Sequence, residues 1–222
     1  MTTQERLIEL MPRRLSIRSQ EAVHIDIRGW YQVGVGEVND AFINGSIGRD
    51  EWIRLMRIQL KRAHLSALAT GHSGRWNEIS QREFGRLGQV LRTQYGFLED
   101  FIDAVIADPE KLNSVYMNNR SSLYGSASRQ TMLAGRYEAR GFNPSILPAI
   151  PGDGSSNCRV RCKCHWSFVK TSATTWRISW RLGKADHCET CVNRADRETG
   201  WTNLQVVGNQ IITPFRDIRR RN

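Results

Sequence analysis

The stretch PGDGSSNCRVRCKCHWSFVK at residues 151–170, continued by TSATTWRISWRLGKADHCETCVNRA at 171–195, contains all five cysteines of the 222-residue chain. The cysteines form two groups separated by a loop-sized insert, Cys158-x3-Cys162-x-Cys164 and His187-Cys188-x2-Cys191. Each group can give two ligands to one tetrahedral ion, because the insert lets the second group fold back on the first. The spacing therefore predicts a metal site, and thiolate ligands indicate zinc.

Four of the thiols are predicted to bind the metal and one is left over. The ligands that we predict are Cys158, Cys162, Cys188 and Cys191, with Cys164 as the first alternative and His165 and His187 as further candidates. Two disulfides with one free cysteine are less favoured, since the chain begins without a signal peptide and this spacing indicates a metal in a reducing compartment. A catalytic zinc is also less favoured, because catalytic sites keep one position open and usually include His or carboxylate ligands.

The residues between the two groups predict a β-hairpin. The run 165–169 is rich in aromatic and branched side chains, and 176–182 alternates apolar Trp176, Ile178 and Trp180 with polar or basic residues. A period of two is typical of a strand with one buried face. The polar segment 171–174 connects the two runs, so the sequence predicts a zinc-ribbon-like hairpin with one cysteine group at each side of its open end.

The residues upstream of the cysteines predict helices. Apolar residues recur at intervals of three and four over 47–70 and again over 84–105, where Ser80 and Glu83 form a capping box before the second run. We expect these two segments to be long antiparallel helices, followed by another helix over 121–140. The segment 22–28 alternates apolar and polar residues, which predicts a short strand with His24 on its exposed side, and Gly29–Gly36 is predicted to be a turn.

The predicted fold class is therefore α+β with two domains. Residues 1–145 form a mainly helical domain that begins with an N-terminal arm, and residues 146–222 form a cysteine-rich, metal-binding β module with a basic C-terminal tail. Three prolines and three glycines between Gly141 and Gly154 favour a boundary in this region.

The net charge of +10 is concentrated in the cysteine-rich part. Residues 151–222 hold 13 Lys and Arg against 6 Asp and Glu, a net of +7, whereas residues 1–150 hold 19 against 16, a net of +3. Basic surfaces attract polyanions, although a solvated surface or a contact with an acidic protein would have the same composition. The candidate contacts with nucleic acid or a partner are Arg54, Arg57 and Lys61 on one helix face and Arg219, Arg220 and Arg221 in the tail.

Several classes of protein are disfavoured by the sequence. No apolar run approaches the roughly 20 residues of a membrane-spanning helix, so we expect no membrane association. The strings of a serine hydrolase elbow and of a zinc-protease helix are absent, and we predict that the chain is not an enzyme. A metal-dependent nuclease is also disfavoured, because Asp186 and Asp196 near the second cysteine group are isolated and no second His-rich catalytic element follows it.

The cysteine-rich stretch resembles the C-terminal motif of a known family. The string LPAIPGDGSSNCRVRCKCHW at residues 147–166, followed by a Trp-rich strand and HCETC, is similar to a motif of tailed-bacteriophage minor head, or head-morphogenesis, proteins, which are distantly related to the Mu-type minor head protein family. Over about forty residues the match includes Pro151, Gly152, Asp153, Gly154, Ser155, Cys158, Cys162, Cys164, Trp166, His187, Cys188 and Cys191. Gln94-Tyr95, Phe101 and Leu123-Tyr124 fit a looser helical pattern, whereas the segment 193–201 departs from the family's shorter ending.

The resemblance implies a structural role in a virus particle. It leads us to expect a minor capsid protein that acts in head morphogenesis near the portal vertex, present in several copies. The expected partners are portal or capsid proteins, with packaged DNA as a further candidate. The expected location is the phage head in the virion, and the host cytoplasm during assembly. The alternative function from the residues themselves is a zinc-ribbon nucleic-acid-binding protein.

Overall fold

The computed structural model describes residues 15–184 and 186–212. The chain divides between Phe142 and Asn143 into two compact units, a helical unit and a smaller unit that contains every cysteine. The predicted N-terminal arm falls largely in residues 1–14, and Arg219, Arg220 and Arg221 fall in 213–222; both segments lie outside the described residues.

Four long α-helices form the described part of the helical unit. They are α1 (Ile17–Ile43), α2 (Arg49–Gly71), α3 (Gln81–Ile106) and α4 (Ser114–Glu138), with short 3₁₀ turns at Trp76–Glu78 and Pro109–Lys111. The predicted capping box begins α3: the Ser80 hydroxyl accepts from the Glu83 amide at 3.3 Å, and the Glu83 carboxylate accepts from the Ser80 amide at 2.8 Å.

The first helix differs from the sequence prediction. Residues 22–28 are helical rather than a strand, and Gly29–Gly36 continues α1 without a turn. The buried residues of α1 recur every three or four positions, but they include Gln20, His24 and Tyr31, so counting apolar residues alone misses the period. His24 is buried rather than exposed, because its Nε2 lies 3.0 Å from the Ser128 hydroxyl of α4.

The core of the helical unit lies mainly between α1, α2 and α4. Trp52, Met56 and Leu60 of α2 are completely buried, as the periodicity of that segment predicts. The α3 helix lies antiparallel to α2, since Arg49 at the start of α2 binds Asp103 near the end of α3 with N–O distances of 2.6 and 2.9 Å. Leu87, Leu98 and Ile102 of α3 are buried, whereas Phe84 of the predicted stripe is exposed.

The smaller unit contains a four-stranded antiparallel sheet. Its strands, β1 (His165–Lys170), β2 (Thr175–Arg181), β3 (Leu204–Val207) and β4 (Gln210–Ile212), are adjacent in chain order. The short helix α5 (Glu189–Ala195) connects β2 to β3, and 3₁₀ turns occur at Pro144–Ile146 and Arg159–Arg161. The predicted hairpin is β1–β2, and β3 and β4 extend it into a sheet.

The register gives the sheet a buried face and an exposed face. Trp176, Ile178 and Trp180 of β2 are buried, and Trp166 of β1 is directly opposite Trp180. On the other face, Arg177 and Arg181 are exposed. The alternation predicted for residues 176–182 is observed except at Ser179, which is buried because its hydroxyl accepts from the Asn203 amide, and the combination of a helical unit with a small sheet confirms the α+β class.

Candidate metal centre

The Pro-Gly-Asp-Gly-Ser segment forms a turn that leads into the first cysteine group. The Asp153 carboxylate accepts from the backbone amides of Ile150 and Ser155, each at 2.8 Å, and also from the Ser155 hydroxyl. Gly152 and Gly154 have φ angles of 92° and 88°, a left-handed conformation that residues with a Cβ adopt at a cost. These residue types are needed because a carboxylate and two glycines reverse the chain within five residues.

The first cysteine group is held by a single 3₁₀ turn. Cys158 precedes the turn Arg159–Arg161 and Cys162 follows it, so their sulfurs are brought to the same side within one short reversal. Cys164 is buried just before β1. After β2 the chain passes so close to this group that a Cβ on Gly183 would lie 2.4 Å from the Lys163 carbonyl oxygen. Only glycine fits there without displacing the backbone.

The second cysteine group lies at the beginning of α5. Cys188 is the N-cap residue of the helix, and Cys191 is completely buried in its first turn. A spacing of three residues places the two side chains on neighbouring parts of one helical turn. The helix therefore presents both thiols to the first group.

The two groups meet in one cluster of thiols. Cys158, Cys162 and Cys191 have sulfur atoms within 4.8 Å of one another. The Sγ atom of Cys191 lies 3.7 Å from that of Cys158 and 3.6 Å from that of Cys162, and the Cys188 and Cys158 sulfurs are 3.5 Å apart. All five cysteines are free thiols, and these distances exceed the roughly 2.05 Å of a disulfide bond.

The spacing of the sulfur atoms fits a tetrahedral metal. With metal–sulfur bonds of about 2.3 Å, the sulfurs of a tetrathiolate zinc site are about 3.8 Å apart. The observed separations of 3.5, 3.6 and 3.7 Å are close to that edge length. The cluster is therefore compatible with a metal site whose ligands come from both cysteine groups, which is the arrangement that the sequence predicts.

The identity of a fourth ligand is a choice between Cys188 and Cys164. The Cys188 sulfur is beside Cys158, whereas the Cys164 thiol interacts with the thiols of Cys162 and Cys191 and with the backbone amide of Gly183. Neither His165, which is exposed, nor His187 belongs to the three-thiol group found in the described residues.

The environment of the thiols affects their ionisation. A hydrogen bond with Cys164 is the main cause that raises the pKa of Cys162, and burial raises the pKa of Cys191. Burial would also raise the pKa of Cys188, but hydrogen bonds from backbone amides and neighbouring thiols lower it to about 7. A divalent cation stabilises thiolates and releases their protons, so it would relieve the crowding of protonated thiols in this cluster.

A cluster of tryptophans supports the metal centre. Trp166 and Trp201 are stacked with ring centroids 5.9 Å apart, and both meet Trp180 edge to face. The Arg194 guanidinium of α5 lies 4.5 Å from the Trp201 ring and donates to the Ser155 carbonyl at 2.8 Å. Arg194 therefore connects the turn before the first cysteine group, the helix of the second group and the aromatic core.

The predicted basic contacts on α2 lie in a different environment. Arg54 binds Glu51 with N–O distances of 2.7 and 2.6 Å, and Arg57 binds Glu99 of α3. Lys61 is exposed. The two arginines of the predicted stripe thus have carboxylate partners within the helical unit.

A second group of potential ligands was not predicted from the sequence. His72, Glu83 and Glu138, from the ends of three helices, come within metal-binding distance of one another. The His72 Nε2 is 2.5 Å from Glu83, and Arg86 binds both carboxylate oxygens of Glu138 at 2.7 and 2.6 Å. The carboxylates are already paired, so we assign this group to the stability of the helical unit.

Comparisons with protein-family models, curated proteins and solved structures found no match for this chain. Within the described residues, no helix is both long and apolar enough to cross a membrane.

Proposed function

We propose that this protein is a structural component of a tailed-phage particle, stapled by zinc, that acts in head morphogenesis near the portal vertex. Its partners would be portal or capsid proteins, with packaged DNA as a further candidate, and several copies would be present in the assembly. It would reside in the phage head, and in the host cytoplasm during assembly. The proposed role is not enzymatic.

One observation carries this proposal. The residues that carry the resemblance to minor head proteins are the ones that converge in space: the turn held by Asp153, the thiols of both cysteine groups and Trp166 of the aromatic cluster. Each of these residues makes a contact that its residue type explains: a carboxylate bound to amides, clustered thiols and a packed tryptophan. These contacts support the proposal that the motif is a structural unit.

The chemistry of the cluster supports zinc in a structural rather than a catalytic role. Four thiolates complete a tetrahedral shell, and no carboxylate or imidazole belongs to the three-thiol group of the described residues. Catalytic zinc sites use three protein ligands and keep the fourth position for water or substrate. We assign the ligands as Cys158, Cys162, Cys188 and Cys191.

Mass spectrometry of particles tests the proposal. Purified mature particles and unfilled precursor heads of the phage that encodes this chain would be quantified against the portal and major capsid proteins. We expect the chain in both, at a low and fixed ratio to the portal protein. Absence from both types of particle would overturn the structural role.

A second candidate function is that of a zinc-ribbon-like nucleic-acid-binding protein, and one observation favours it. Arg177, Arg181 and Arg197 of the smaller unit are exposed and have no carboxylate partner within the described residues. A regulator of this kind would bind free DNA with a preference for sequence. An assembly protein needs no such preference, so competition between unrelated duplexes distinguishes the two functions.

A further inference from the structure

Many arginines of the helical unit are neutralised by carboxylates. In the helical unit, arginine side chains bind carboxylates of the same unit, in five examples: Arg49 with Asp103, Arg54 with Glu51, Arg57 with Glu99, Arg86 with Glu138, and Arg136 with Glu21. The paired carboxylates cancel much of the positive charge that these arginines would otherwise present to an external anion.

The sheet of the smaller unit has the opposite character. None of its four strands contains an acidic residue, and β1 and β2 contribute Lys170, Arg177 and Arg181. Across the register, Arg177 is opposite Val169 and Gln205, and Arg181 is opposite His165. The exposed face therefore carries two guanidinium groups that have no carboxylate beside them on the neighbouring strands.

A pocket of about 290 Å³ adjoins this face at Arg181. Its other lining residues are Ala195, Arg197, Thr202 and Asn203, so two arginines and an amide line it and no carboxylate does. Thr202 donates its hydroxyl proton to the Asp196 carbonyl at 3.0 Å and shapes the wall. Within residues 143–184 and 186–212, the side chains of Arg181, Arg197 and Asn203 have no hydrogen-bond partner.

Two acidic residues, Asp196 and Glu198, flank Arg197 in sequence, and neither lines the pocket. The Asp196 carboxylate accepts from the backbone amides of Glu198 and Thr199, at 2.8 and 2.6 Å, and from the Thr199 hydroxyl at 2.8 Å. These bonds hold it in its own loop. The pocket thus presents donors and positive charge, which is the composition of an anion-binding site.

We infer that this pocket and the exposed face of the sheet, defined by Arg177, Arg181, Arg197 and Asn203, bind phosphate groups of a DNA backbone. Arginine and asparagine are typical donors to phosphate oxygens, and the guanidinium group matches a phosphate in a bidentate manner. The aromatic side chains of β1 and β2 lie on the other face, where Trp166, Trp176 and Trp180 are buried. Because β1 and β2 carry no tryptophan, tyrosine or phenylalanine on the exposed face and His165 is the one aromatic ring that these two strands place there, double-stranded DNA is favoured over single strands.

Salt-dependent binding of the full-length protein to DNA tests this site. Anisotropy of a fluorescent duplex of unrelated sequence would be measured between about 50 and 200 mM salt, because each phosphate contact contributes about 0.9 to the slope of log affinity against log salt. The variant Arg181→Gln/Arg197→Gln is expected to reduce that slope by about 1.8. The matched control Arg54→Gln/Arg57→Gln removes the same charge from paired arginines and should leave the slope unchanged.

Several results would overturn the inference. These are absence of salt-dependent binding by the wild type, an equal loss of slope in both double variants, or preference for a single strand. Polyglutamate that competes as well as the duplex would instead indicate an acidic protein partner. Metal content and tryptophan fluorescence equal to wild type would show that each variant is folded. The site does not depend on where the chain resides, so failure of DNA binding and absence from particles are separate outcomes.

Discussion

Cys188 and Cys164 compete to be the fourth ligand of the metal. The thiols of Cys158, Cys162 and Cys191 supply three ligands, and a tetrahedral ion takes only one more. Backbone amides donate to both thiols, and the distance that favours Cys188 is that of its sulfur to the Cys158 sulfur, 3.5 Å, which is close to the tetrahedral edge. We predict that Cys188→Ser lowers zinc affinity more than about 100-fold, because even residues outside the ligand shell change affinity about 10–100-fold.

Competition with a chromogenic zinc chelator measures this difference. Cys164→Ser is the matched control, since it removes a thiol from the same cluster. It should lower the zinc affinity by no more than about 100-fold, because residues outside the ligand shell change affinity about 10–100-fold. The reverse order of the two variants would assign Cys164 as the fourth ligand.

His64 makes the helical unit sensitive to acid. It is completely buried, its Nδ1 lies 2.7 Å from the Thr131 hydroxyl, and burial lowers its pKa from 6.5 to about 3, with a smaller effect of His24 nearby. Since the unfolded chain binds the proton first, stability is complete above pH 6.5 and is lost progressively as the pH falls toward 3. Between pH 7 and 5 the loss from this residue is about 2 kcal/mol.

Urea unfolding of His64→Asn as a function of pH tests this effect. Asparagine can keep a hydrogen bond to Thr131 but does not titrate, so the variant should lose about 2 kcal/mol less than wild type over that range. Glu21 and Glu83, whose pKa values lie below the usual 4.5, affect stability only at lower pH. His165→Asn on the exposed strand is the control, and an unchanged pH profile for His64→Asn would contradict the prediction.

At the scale of elements, α2 and α4 approach each other through glycine. A Cβ on Gly71 would lie 2.4 Å from the Met132 carbonyl oxygen and 2.7 Å from the Arg136 amide nitrogen, both backbone atoms that cannot move separately from α4. We predict that Gly71→Ala destabilises the helical unit by about 1–3 kcal/mol, despite the higher helix propensity of alanine.

Gly88 provides the matched control for this prediction. It is also inside a helix, but a Cβ there would meet nothing within 4 Å. Gly88→Ala should therefore stabilise the protein by about 0.5–1 kcal/mol, and thermal unfolding of the two variants should shift in opposite directions. A stabilising Gly71→Ala would mean that the helices separate at little cost.

The elements that could be predicted from sequence are those with a regular apolar period or a local cap. The α2 helix has a regular apolar period, the α3 helix has both a period and a capping box, and the hairpin β1–β2 has alternating tryptophans. The α1 helix was missed because its inward positions include Gln20 and His24, which become buried only through partners such as Ser128 of α4. The strands β3 and β4 have four and three residues, too short for a period to be visible; β3 depends on pairing with β2, and β4 on pairing with β3.

At the scale of the whole molecule, the candidate site could also be predicted only where local signals specify it. Cysteine spacing predicted that the two groups meet, because each group is held by a local turn or a helix end. Whether an arginine binds a carboxylate could not be predicted, because the partner can be distant in sequence: Arg57 and Glu99 are 42 positions apart. Basic residues that look alike in sequence therefore differ: Arg54 and Arg57 of α2 bind carboxylates, whereas Arg177 and Arg181 of β2 bind none within the described residues.

The division into two units leads to a last prediction, that removal of metal unfolds one unit and spares the other. No strand of the smaller unit exceeds seven residues, so its apolar core is small, and a structural zinc ion contributes about 10–16 kcal/mol of apparent binding energy. The helical unit has a core of its own between α1, α2 and α4.

A strong chelator should therefore abolish the contribution of Trp166, Trp180 and Trp201 to the near-UV dichroism, while the far-UV helical dichroism remains. Returning zinc should restore the near-UV signal, and Cys188→Ser should resemble the chelated protein without chelator. Loss of the far-UV helical signal as well would show that the helical unit depends on the metal. Trp52 in the spared helical core keeps its own near-UV contribution, so the contradicting result is a near-UV spectrum of verified metal-free protein that is unchanged from the zinc-bound protein.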